Sequence, residues 1–267
     1  MALVTRRRLL IGGAAGSGLA LAGCGKAIQA DALTDNASFQ KVLGSAELWS
    51  LSAQRFLLGG GALAHEFKPR DISRHFYANG TTDPGGDEYP RHAAESFVNW
   101  RLKIDGMVSR PMSLSIADLR RLPARTQITR HDCVEGWSAI AQWKGVQLGL
   151  LLKAVGLAPG ARYAVFHCAD NLSGDPAKGG EQKPGQYYES LDLVDAMHPQ
   201  TLIAYDMNGQ ALGVPYGAPL RLRVERQLGY KQAKYVQRIQ ITDSLAGLYG
   251  GKGGYWEDLG YEWYAGI

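Results

Sequence analysis

Hydrophobic and polar residues alternate along much of the chain with the two-residue period of half-buried β-strands. The segment 100–106 shows this pattern, since Trp100, Leu102 and Ile104 are separated by charged residues and an Asp-Gly turn follows. Alternating or short apolar runs recur further along the chain, at 162–170, 202–212, 219–225 and 238–242. An Asn-Gly pair at 208–209 predicts a hairpin turn. The pattern therefore predicts many short strands.

Helical spacing occurs in three places. Apolar residues in 37–58 follow a broken helical period, which predicts one or two helices ahead of the glycine triplet. Ser115 and Asp118 have the spacing of a capping box and predict a short helix. The segment 146–156 predicts another helix, which a glycine closes.

These elements together predict an α+β fold class, with mixed sheets and few short helices. The segment 68–95 is rich in Gly, Pro and Asp and predicts a long irregular loop. The end of the chain, 247–267, is rich in glycine and aromatic residues and predicts a surface segment that is packed by its rings.

The first 23 residues have the order of an export signal: a basic stretch, a short apolar stretch and a small-residue processing site. Residues 5–10 resemble a twin-arginine signal, and residues 21–24 resemble a lipoprotein box in which Cys24 would be lipidated. A protein that acquires a cofactor before export would need a twin-arginine signal. The sequence thus predicts a periplasmic or cell-envelope location, and the alternative is an unprocessed basic tail.

The formal net charge of the chain is +4, and Arg6, Arg7 and Arg8 account for three of those charges. Removing the segment 1–23, which contains no acidic residue, lowers the net charge to +1. The charge therefore gives no support to a nucleic-acid partner.

Cys133 and Cys168 remain once Cys24 is assigned to the signal. Two cysteines in an oxidising compartment suggest a disulfide. Cys133 could instead be a nucleophile, because His131 would share its face of a strand while Asp132 would face away. Zinc is disfavoured, since the histidines and cysteines show no paired ligand spacing. The residues alone leave these alternatives open.

A basic loop at 229–234 follows the strand predicted around Arg221 and contains Lys231 and Lys234. Cations and free backbone amides in a loop can hold a phosphate group. A solvated basic turn is the alternative, and neither a nucleotide-binding glycine loop nor a dinucleotide fingerprint is present.

Five ordered motifs carry a resemblance to a known family: CVEGWS (133–138), WKGVQLGLLLKAVG (143–156), DAMHPQTLIAYDMNGQAL (195–212), YGAPLRLRV (216–224) and GYKQAKYVQRIQIT (229–242). Together they resemble the sulfite oxidase-like molybdopterin oxidoreductases. Within that family the chain is most similar to the exported bacterial branch that includes a periplasmic methionine sulfoxide reductase. The resemblance implies the sulfite oxidase-like molybdopterin-binding fold.

The resemblance implies a molybdenum ion held by the dithiolene of one pyranopterin, with Cys133 as the protein ligand of the metal and the catalytic residue. It also implies a set of cofactor-binding residues: Arg74, Tyr77, Ala78, Cys168, Tyr216, Arg221, Gln232, Ala233 and Lys234. The last three match a loop that receives the pterin phosphate. The cofactor would carry out two-electron oxygen-atom transfer while the protein orients it.

Four positions depart from the reductase of that branch. Arg74 and Tyr216 each stand where the reductase has Asn, Cys168 stands where it has Thr, and Asp132 stands where it has Arg. A carboxylate that faced the metal would repel an anionic substrate such as sulfite. The departures therefore predict a different substrate pocket, with Asp132 as the position that decides the substrate.

The implied activity is reduction of a sulfoxide, either in a small molecule or in an oxidised protein. Oxidation of sulfite or another small sulfur compound is the alternative, and a non-catalytic envelope lipoprotein with a degenerate site is an alternative of another class. A separate partner, such as a membrane haem protein, would exchange electrons with the site. The predicted division is a signal (1–23), a helical segment (24–67) and a molybdopterin-binding domain (68–267), in a monomer.

Overall fold

The computed structural model describes residues 49, 51–53, 55–56, 61–173 and 183–267. The chain divides into two units, Met1–Ala53 and Gln54–Ile267. Of the first unit, the described residues 49 and 51–53 are helical, in agreement with the helix predicted there. The predicted export signal and Cys24 lie outside the described residues.

Short strands dominate the second unit, and their bounds are β1 (Leu102–Gly106), β2 (Met112–Leu114), β3 (Ala124–Asp132), β4 (Ser138–Gln147), β5 (Tyr163–Asn171), β6 (Gln186–Asp192), β7 (Leu202–Met207), β8 (Gln210–Ala211), β9 (Arg221–Arg223) and β10 (Val236–Thr242). One five-stranded sheet has the order β2-β1-β10-β5-β6, in which β1 and β10 run parallel and the other neighbours antiparallel. The other sheet has the order β3-β4-β7-β8, and β9 also pairs with β7. The architecture is thus the mixed-sheet α+β class that the sequence predicts.

The α-helices of the second unit are short: α1 (Glu88–Ala94), α2 (Ile116–Arg121), α3 (Leu148–Val155), α4 (Leu193–Ala196) and α5 (Tyr255–Asp258). Single 3-10 turns occur at Pro69–Asp71, Val214–Tyr216 and Gly229–Lys231. Among the described residues, no helix combines the length and the apolar character that a bilayer crossing demands.

The main hydrophobic core lies between the two sheets and α3. Leu102, Phe166 and Ile239 reach it from the first sheet, Ile203 reaches it from the second sheet, and Leu151 from α3. Burial of such side chains supplies the main favourable free energy of the fold, at about 25 cal/mol per Å² of apolar surface. The second sheet also covers a smaller cluster around Trp143 and Phe76.

Several local predictions are confirmed. Ser115 Oγ accepts from Asp118 N at 3.0 Å, and the Asp118 carboxylate accepts from Ser115 N, so the capping box of α2 is formed. Gly156 ends α3 with φ 67°, and Asn208 and Gly209 have φ 51° and 80° in the turn between β7 and β8. These signals are local, so the sequence alone suffices to read them.

Two sequence predictions differ from the structure. The segment 68–95 is not irregular throughout, because α1 forms in it and buries Tyr89. The predicted boundary at 67/68 falls inside the second unit: Ala64 N donates to Gln200 Oε1 at 2.8 Å, and Phe67 N donates to Ile128 O at 2.8 Å. These contacts are long-range in sequence and have no local signal.

Candidate active site

A cavity of about 300 Å³ lies next to Cys133, which follows directly after β3. A volume of this size suits a small cofactor or ligand. Its wall is built from separated parts of the chain: Asn79, Gly80, Thr81, Cys133, Val134, Glu135, Asp170, Leu172, Tyr187, Gly229, Tyr230, Gln232, Ala233, Lys234, Trp256 and Tyr261. The fold therefore brings Cys133 and the predicted phosphate loop to one place.

The β3–β4 hairpin positions Cys133. Cys133 N donates to Trp137 O at 2.9 Å, and Gly136 N donates to Cys133 O at 3.0 Å. Gly136 has φ 88°, a conformation that glycine adopts without strain. The thiol is half-buried, and burial raises its pKa, with the Glu135 carboxylate adding to the effect. A thiolate at this position needs a cation, such as a metal ion, to stabilise it.

His131 is not paired with Cys133 as a base. Its ring is fully buried, and Arg223 Nη1 donates to His131 Nδ1 at 3.0 Å. Burial and the charges of Arg223 and Arg221 hold the pKa of His131 well below its usual value. A Cβ at Gly229 would meet His131 Nε2 at 2.5 Å, so glycine lets the loop pack on this ring. His131 thus supports the loop instead of activating the thiol.

The two remaining cysteines do not form a disulfide. Both are free, Cys133 half-buried at the cavity and Cys168 buried completely. Cys168 belongs to the main hydrophobic core, where its Sγ lies 3.9 Å from Phe166 O. It does not line the cavity, in contrast to the cofactor contact that the resemblance implies.

Lys234 brings a buried positive charge to the cavity wall. Its Nζ donates to Asn79 O at 2.6 Å, to Pro215 O at 3.0 Å and to Thr81 O. All three acceptors are neutral carbonyl oxygens. Burial, and then the charge of Arg221, lower the pKa of Lys234 to about 7. A bound anion would stabilise the protonated amine, because it would offset the cost of burial.

Arg221 lies directly behind the loop that contains Lys234. It is fully buried and donates to Tyr216 O at 3.2 Å and to Gln232 O at 3.3 Å. Within the described part of the chain, its Nε has no hydrogen-bond partner. Burial and the charge of Arg223 lower the pKa of Arg221 to about 9. Two buried cations without a carboxylate hydrogen bond therefore stand at this loop.

Asp170 is a cavity residue that the sequence analysis missed. It is 3% exposed, and its Oδ1 has no hydrogen-bond partner among the residues that the structure describes. Burial raises the pKa of Asp170 to about 6. The register of the β5–β6 pair shifts between His167 and Asn171, where Cys168 enters the core and Asp170 lines the cavity. Strand periodicity alone does not predict such a bulge.

Four other residues implied by the resemblance do not line the cavity. Tyr77 is exposed and packs edge-on against His75, and Ala78 is half-buried directly before the cavity residue Asn79. Tyr216 donates its hydroxyl to Phe76 O at 3.2 Å. Arg74 is exposed and, like these three, is absent from the cavity wall.

The carboxylate of Asp132 is held outside the cavity. It accepts from Arg130 Nε at 2.9 Å and from the Ser138 hydroxyl. Asp132 is not part of the cavity wall, although Cys133 follows it in the chain. The hypothesis that Asp132 acts on an anionic substrate at the metal therefore has no support in this geometry.

The carboxy-terminal segment closes one side of the cavity with Trp256 and Tyr261. A buried ion triad ties the segment to the loop: Lys231 Nζ donates to Glu257 Oε1 at 2.5 Å and to Glu189 Oε1. The sequence analysis predicts ring packing for this segment but not its place in the site. The run of aromatic residues is the one feature of the sequence that could have indicated that this segment lines a binding site.

The donor set fits molybdopterin. Cys133 offers a soft sulfur donor for a metal that is already coordinated by sulfur. Lys234 and the loop amides suit a phosphate group. The unpartnered oxygen of Asp170 suits the N–H donors of a pterin ring. All three line the same cavity.

Comparisons with known proteins agree with this assignment. A family model described as an oxidoreductase molybdopterin binding domain matches residues 88–248. A protein of Azospira oryzae named as a protein-methionine-sulfoxide reductase subunit, YedZ1, is 37% identical over 235 residues, covering 88% of this chain and 80% of that protein. The family match runs from α1 to β10 and contains Cys133, Asp170 and Lys234.

Two further similarities cover less of the chain. The protein-methionine-sulfoxide reductase catalytic subunit MsrP of Gluconobacter oxydans is 36% identical over 172 residues, which are 62% of this chain and 53% of that protein. The sulfane dehydrogenase SoxCD of Paracoccus pantotrophus is a solved structure with 25% identity and a TM-score of 0.47, over 55% of this chain and 39% of that chain.

Proposed function

The chain belongs to the family of oxidoreductases with a molybdopterin-binding domain, and on that premise we propose that it reduces methionine sulfoxide in oxidised proteins. As a member of the family it is a molybdopterin-dependent oxidoreductase. The substrate rests on the similarity to proteins named as protein-methionine-sulfoxide reductase subunits. The observation that carries the site is that Cys133 and Lys234 line one cavity.

In the proposed site, Cys133 would be the protein ligand of molybdenum and Lys234 would pair with the pterin phosphate. Arg221 positions the loop through its hydrogen bond to Gln232 O, and the unpartnered Oδ1 of Asp170 would accept from the pterin ring. The bound group supplies the two-electron transfer that sulfoxide reduction requires. Overall, the sulfoxide takes up two electrons and two protons and leaves as a thioether and water.

The electrons come from a separate protein, and a membrane haem protein is the proposed donor. The proposed location is the periplasm or cell envelope, reached by twin-arginine export, because the first 23 residues have the order of such a signal. Replacing Arg6 and Arg7 by Lys should retain the protein in the cytoplasm, as cell fractionation would detect. Export of this variant at the wild-type level would contradict the proposed route.

The two free cysteines provide a matched test of the site. The wild type, purified from a host that makes molybdopterin, should contain molybdenum and reduce a sulfoxide with a dye electron donor. Cys133→Ser should lose turnover and the metal–sulfur scattering that X-ray absorption attributes to the protein thiolate. Cys168→Ala should keep both, because the Cys168 thiol lies in the hydrophobic core.

Three outcomes would decide against the proposal. A wild type that contains no molybdenum and releases no pterin would exclude a molybdopterin-dependent activity. Loss of the thiolate signal in Cys168→Ala and not in Cys133→Ser would exclude Cys133 as the ligand. If the protein oxidises a sulfur compound with a dye acceptor but reduces no sulfoxide with a dye donor, its reaction runs in the oxidising direction and the proposal is wrong.

A further inference from the structure

A separate cavity, of about 280 Å³, is formed by α1, by the chain that leads from α1 into β1, and by one residue of β10. Its wall consists of Glu88, Arg91, His92, Asn99, Trp100, Arg101, Lys103 and Gln237. Three of these residues are cations and one is an acid, so we call this space the basic cavity. Among the described residues, none lines both the basic cavity and the cavity that contains Cys133.

The cations of the basic cavity are not neutralised by carboxylates. Arg91, Arg101 and Lys103 are exposed, and within the described part of the chain none of them forms an ion pair. The acid of the wall, Glu88, is instead close to a histidine, since His92 Nε2 lies 3.7 Å from Glu88 Oε1. A concave surface with an excess of one charge raises the local concentration of ions of the opposite charge. The basic cavity therefore attracts anions.

Gln237 adds a buried polar group that has no hydrogen bond. It is 7% exposed, and its Oε1 has no partner among the residues that the structure describes. His92 Nδ1, in the same wall, is also buried and unpartnered within that part of the chain. An unsatisfied buried polar atom costs free energy, and a ligand that pairs with it removes this cost. The wall is thus suited to an anion that has a hydrogen-bond donor of its own.

Unusual backbone geometry forms the basic cavity. The register of the β10–β5 pair shifts between Val236 and Arg238, so Gln237 is the extra residue of a β-bulge. Bulges redirect side chains and are frequent beside functional sites. In the turn between α1 and β1, Ser96 and Phe97 have φ 52° and 59°, a left-handed conformation that such residues rarely adopt. Backbone of this kind persists where the surrounding structure enforces it, and it is concentrated at ligand sites.

The groups in the wall distinguish between common oxyanions. Arginine and lysine bind phosphate and sulfate alike, through charge-assisted hydrogen bonds to the charged oxygens. Inorganic phosphate retains a hydroxyl at neutral pH, whereas sulfate and the phosphodiester of a phospholipid have none. A site that is built to pair with a hydroxyl rejects an analogue that lacks it, because a buried polar group is then left unpaired. The unpartnered oxygen of Gln237 therefore favours inorganic phosphate.

We propose that the basic cavity binds inorganic phosphate. Arg91 and Lys103 pair with the charged oxygens of the ion, and Gln237 Oε1 accepts from its hydroxyl. Gln237 thereby determines the preference for phosphate over sulfate. The site is additional to the proposed sulfoxide reduction and does not depend on it.

The test measures binding of radiolabelled phosphate and sulfate to the holoenzyme by equilibrium dialysis. Arg91→Gln with Lys103→Gln removes two cations of the wall, and Gln237→Leu removes the acceptor at unchanged net charge. Arg110→Gln with Lys153→Gln is the matched control, since this exposed pair lies outside the wall of the basic cavity. The melting temperature and the molybdenum content of each variant report on its fold.

A further control addresses the loop that is proposed to hold the cofactor phosphate. Lys234→Met removes the cation of that loop and should leave the affinity for free phosphate unchanged. Arg101 is kept in every variant, because its Nη1 donates to Trp100 O at 2.8 Å and to Val98 O at 3.1 Å and so supports the chain.

The wild type should bind phosphate at least about tenfold more tightly than sulfate. The variant without Arg91 and Lys103 should have an about tenfold higher Kd for both ions, because two charge-assisted hydrogen bonds are lost. Gln237→Leu should raise the Kd for phosphate about tenfold and leave the Kd for sulfate within about twofold, which abolishes the preference. The Arg110 and Lys153 control should match the wild type.

Equal affinities of the wild type for phosphate and sulfate would overturn the proposal, and this comparison needs no variant. Loss of phosphate binding in Lys234→Met, with binding retained in the variant without Arg91 and Lys103, would assign the ion to the cofactor loop and also overturn it. So would a protein that sediments with phosphatidylglycerol vesicles but binds no free phosphate. Dialysis does not measure turnover, so a holoenzyme that binds phosphate as described but reduces no sulfoxide would refute sulfoxide reduction alone.

Discussion

Lys231 and Lys234 are three residues apart and both are buried, yet the groups that accept their hydrogen bonds differ in charge. Lys231 lies between the carboxylates of Glu189 and Glu257. Burial alone would lower its pKa, but the two carboxylates outweigh this effect and raise it. Among the described residues, Lys234 donates only to carbonyl oxygens, and burial lowers its pKa to about 7.

The difference separates a structural cation from one that is available to an anion. The charge of Lys231 is compensated within the protein and anchors the carboxy-terminal segment. Within the described part of the chain no carboxylate is hydrogen-bonded to Lys234, which lines the cavity together with Asp170. Unfavourable burial of a charge is tolerated at a site where a ligand restores the balance.

The largest expected effect is on stability, when the cation that the two carboxylates compensate is removed. Lys231→Met leaves Glu189 and Glu257 buried without their cation, so the free energy of unfolding should fall by about 3–5 kcal/mol. Urea denaturation of the variant, with exposed Lys153→Met as the control, measures the change. A loss below about 1 kcal/mol, as for an exposed ion pair, would contradict the structural role of Lys231.

The pH dependence of stability tests whether the charge of Lys234 is left uncompensated. The pKa of Lys234 is about 7 in the folded chain and 10.5 in its ordinary state, so the unfolded chain binds more protons between these values. The free energy of unfolding should therefore rise with pH. Between pH 7.5 and 9.5 Lys234 itself should contribute a rise of about 2–3 kcal/mol in the cofactor-free protein, measured as the difference between the wild type and Lys234→Met.

The matched control for this pH dependence is Lys234→Met, which should lack that part of the slope. Denaturant titrations at pH 7.5, 8.5 and 9.5 give both slopes. Equal slopes in the two proteins would show that the pKa of Lys234 is not lowered. The wild type with bound cofactor should show the same shallow pH slope as Lys234→Met, because a phosphate beside the amine raises the pKa of Lys234 again.

A smaller effect concerns cofactor retention. Lys234→Met should reduce the molybdopterin retained after dialysis about tenfold, since a charge-assisted hydrogen bond contributes about 1.5–3 kcal/mol. Pterin fluorescence after oxidation measures retention, and exposed Lys252→Met is the control. Retention at the wild-type level would place the phosphate elsewhere.

The smallest effect is expected at Asp132. Its ion pair with Arg130 is partly exposed and lies outside the cavity wall, so Asp132→Asn should change the free energy of unfolding by less than about 1 kcal/mol. The kcat/KM for a sulfoxide should stay within twofold of the wild type. A change above fivefold would restore Asp132 as a residue that influences the substrate.

The sequence could predict those features that depend on local letters or on ordered motifs. The α2 capping box, the Asn-Gly turn and the glycine after α3 each form within a few residues. The motifs around Cys133 and 232–234 identified four residues that share one cavity. They also implied Cys168 and Arg74, which do not line this cavity.

The cavity residues that sequence reasoning missed depend on long-range geometry. Asp170 lines the cavity at an irregular stretch of β5, and a bulge has no reliable signal in residue periodicity. Trp256 and Tyr261 reach the site because a buried ion triad holds their segment against the loop. In that triad, Glu257 lies 26 residues and Glu189 lies 42 residues from Lys231 along the chain.

The sequence by itself determined the family, the cofactor class and the local elements, since these are written in short motifs and in the period of apolar residues. Only the tertiary structure decided how the charges are used. Lys231 and Lys234 look alike within the basic loop, but their roles depend on carboxylates and carbonyls brought from distant segments. Burial makes that difference matter, because a charge removed from water is governed by its nearest partners.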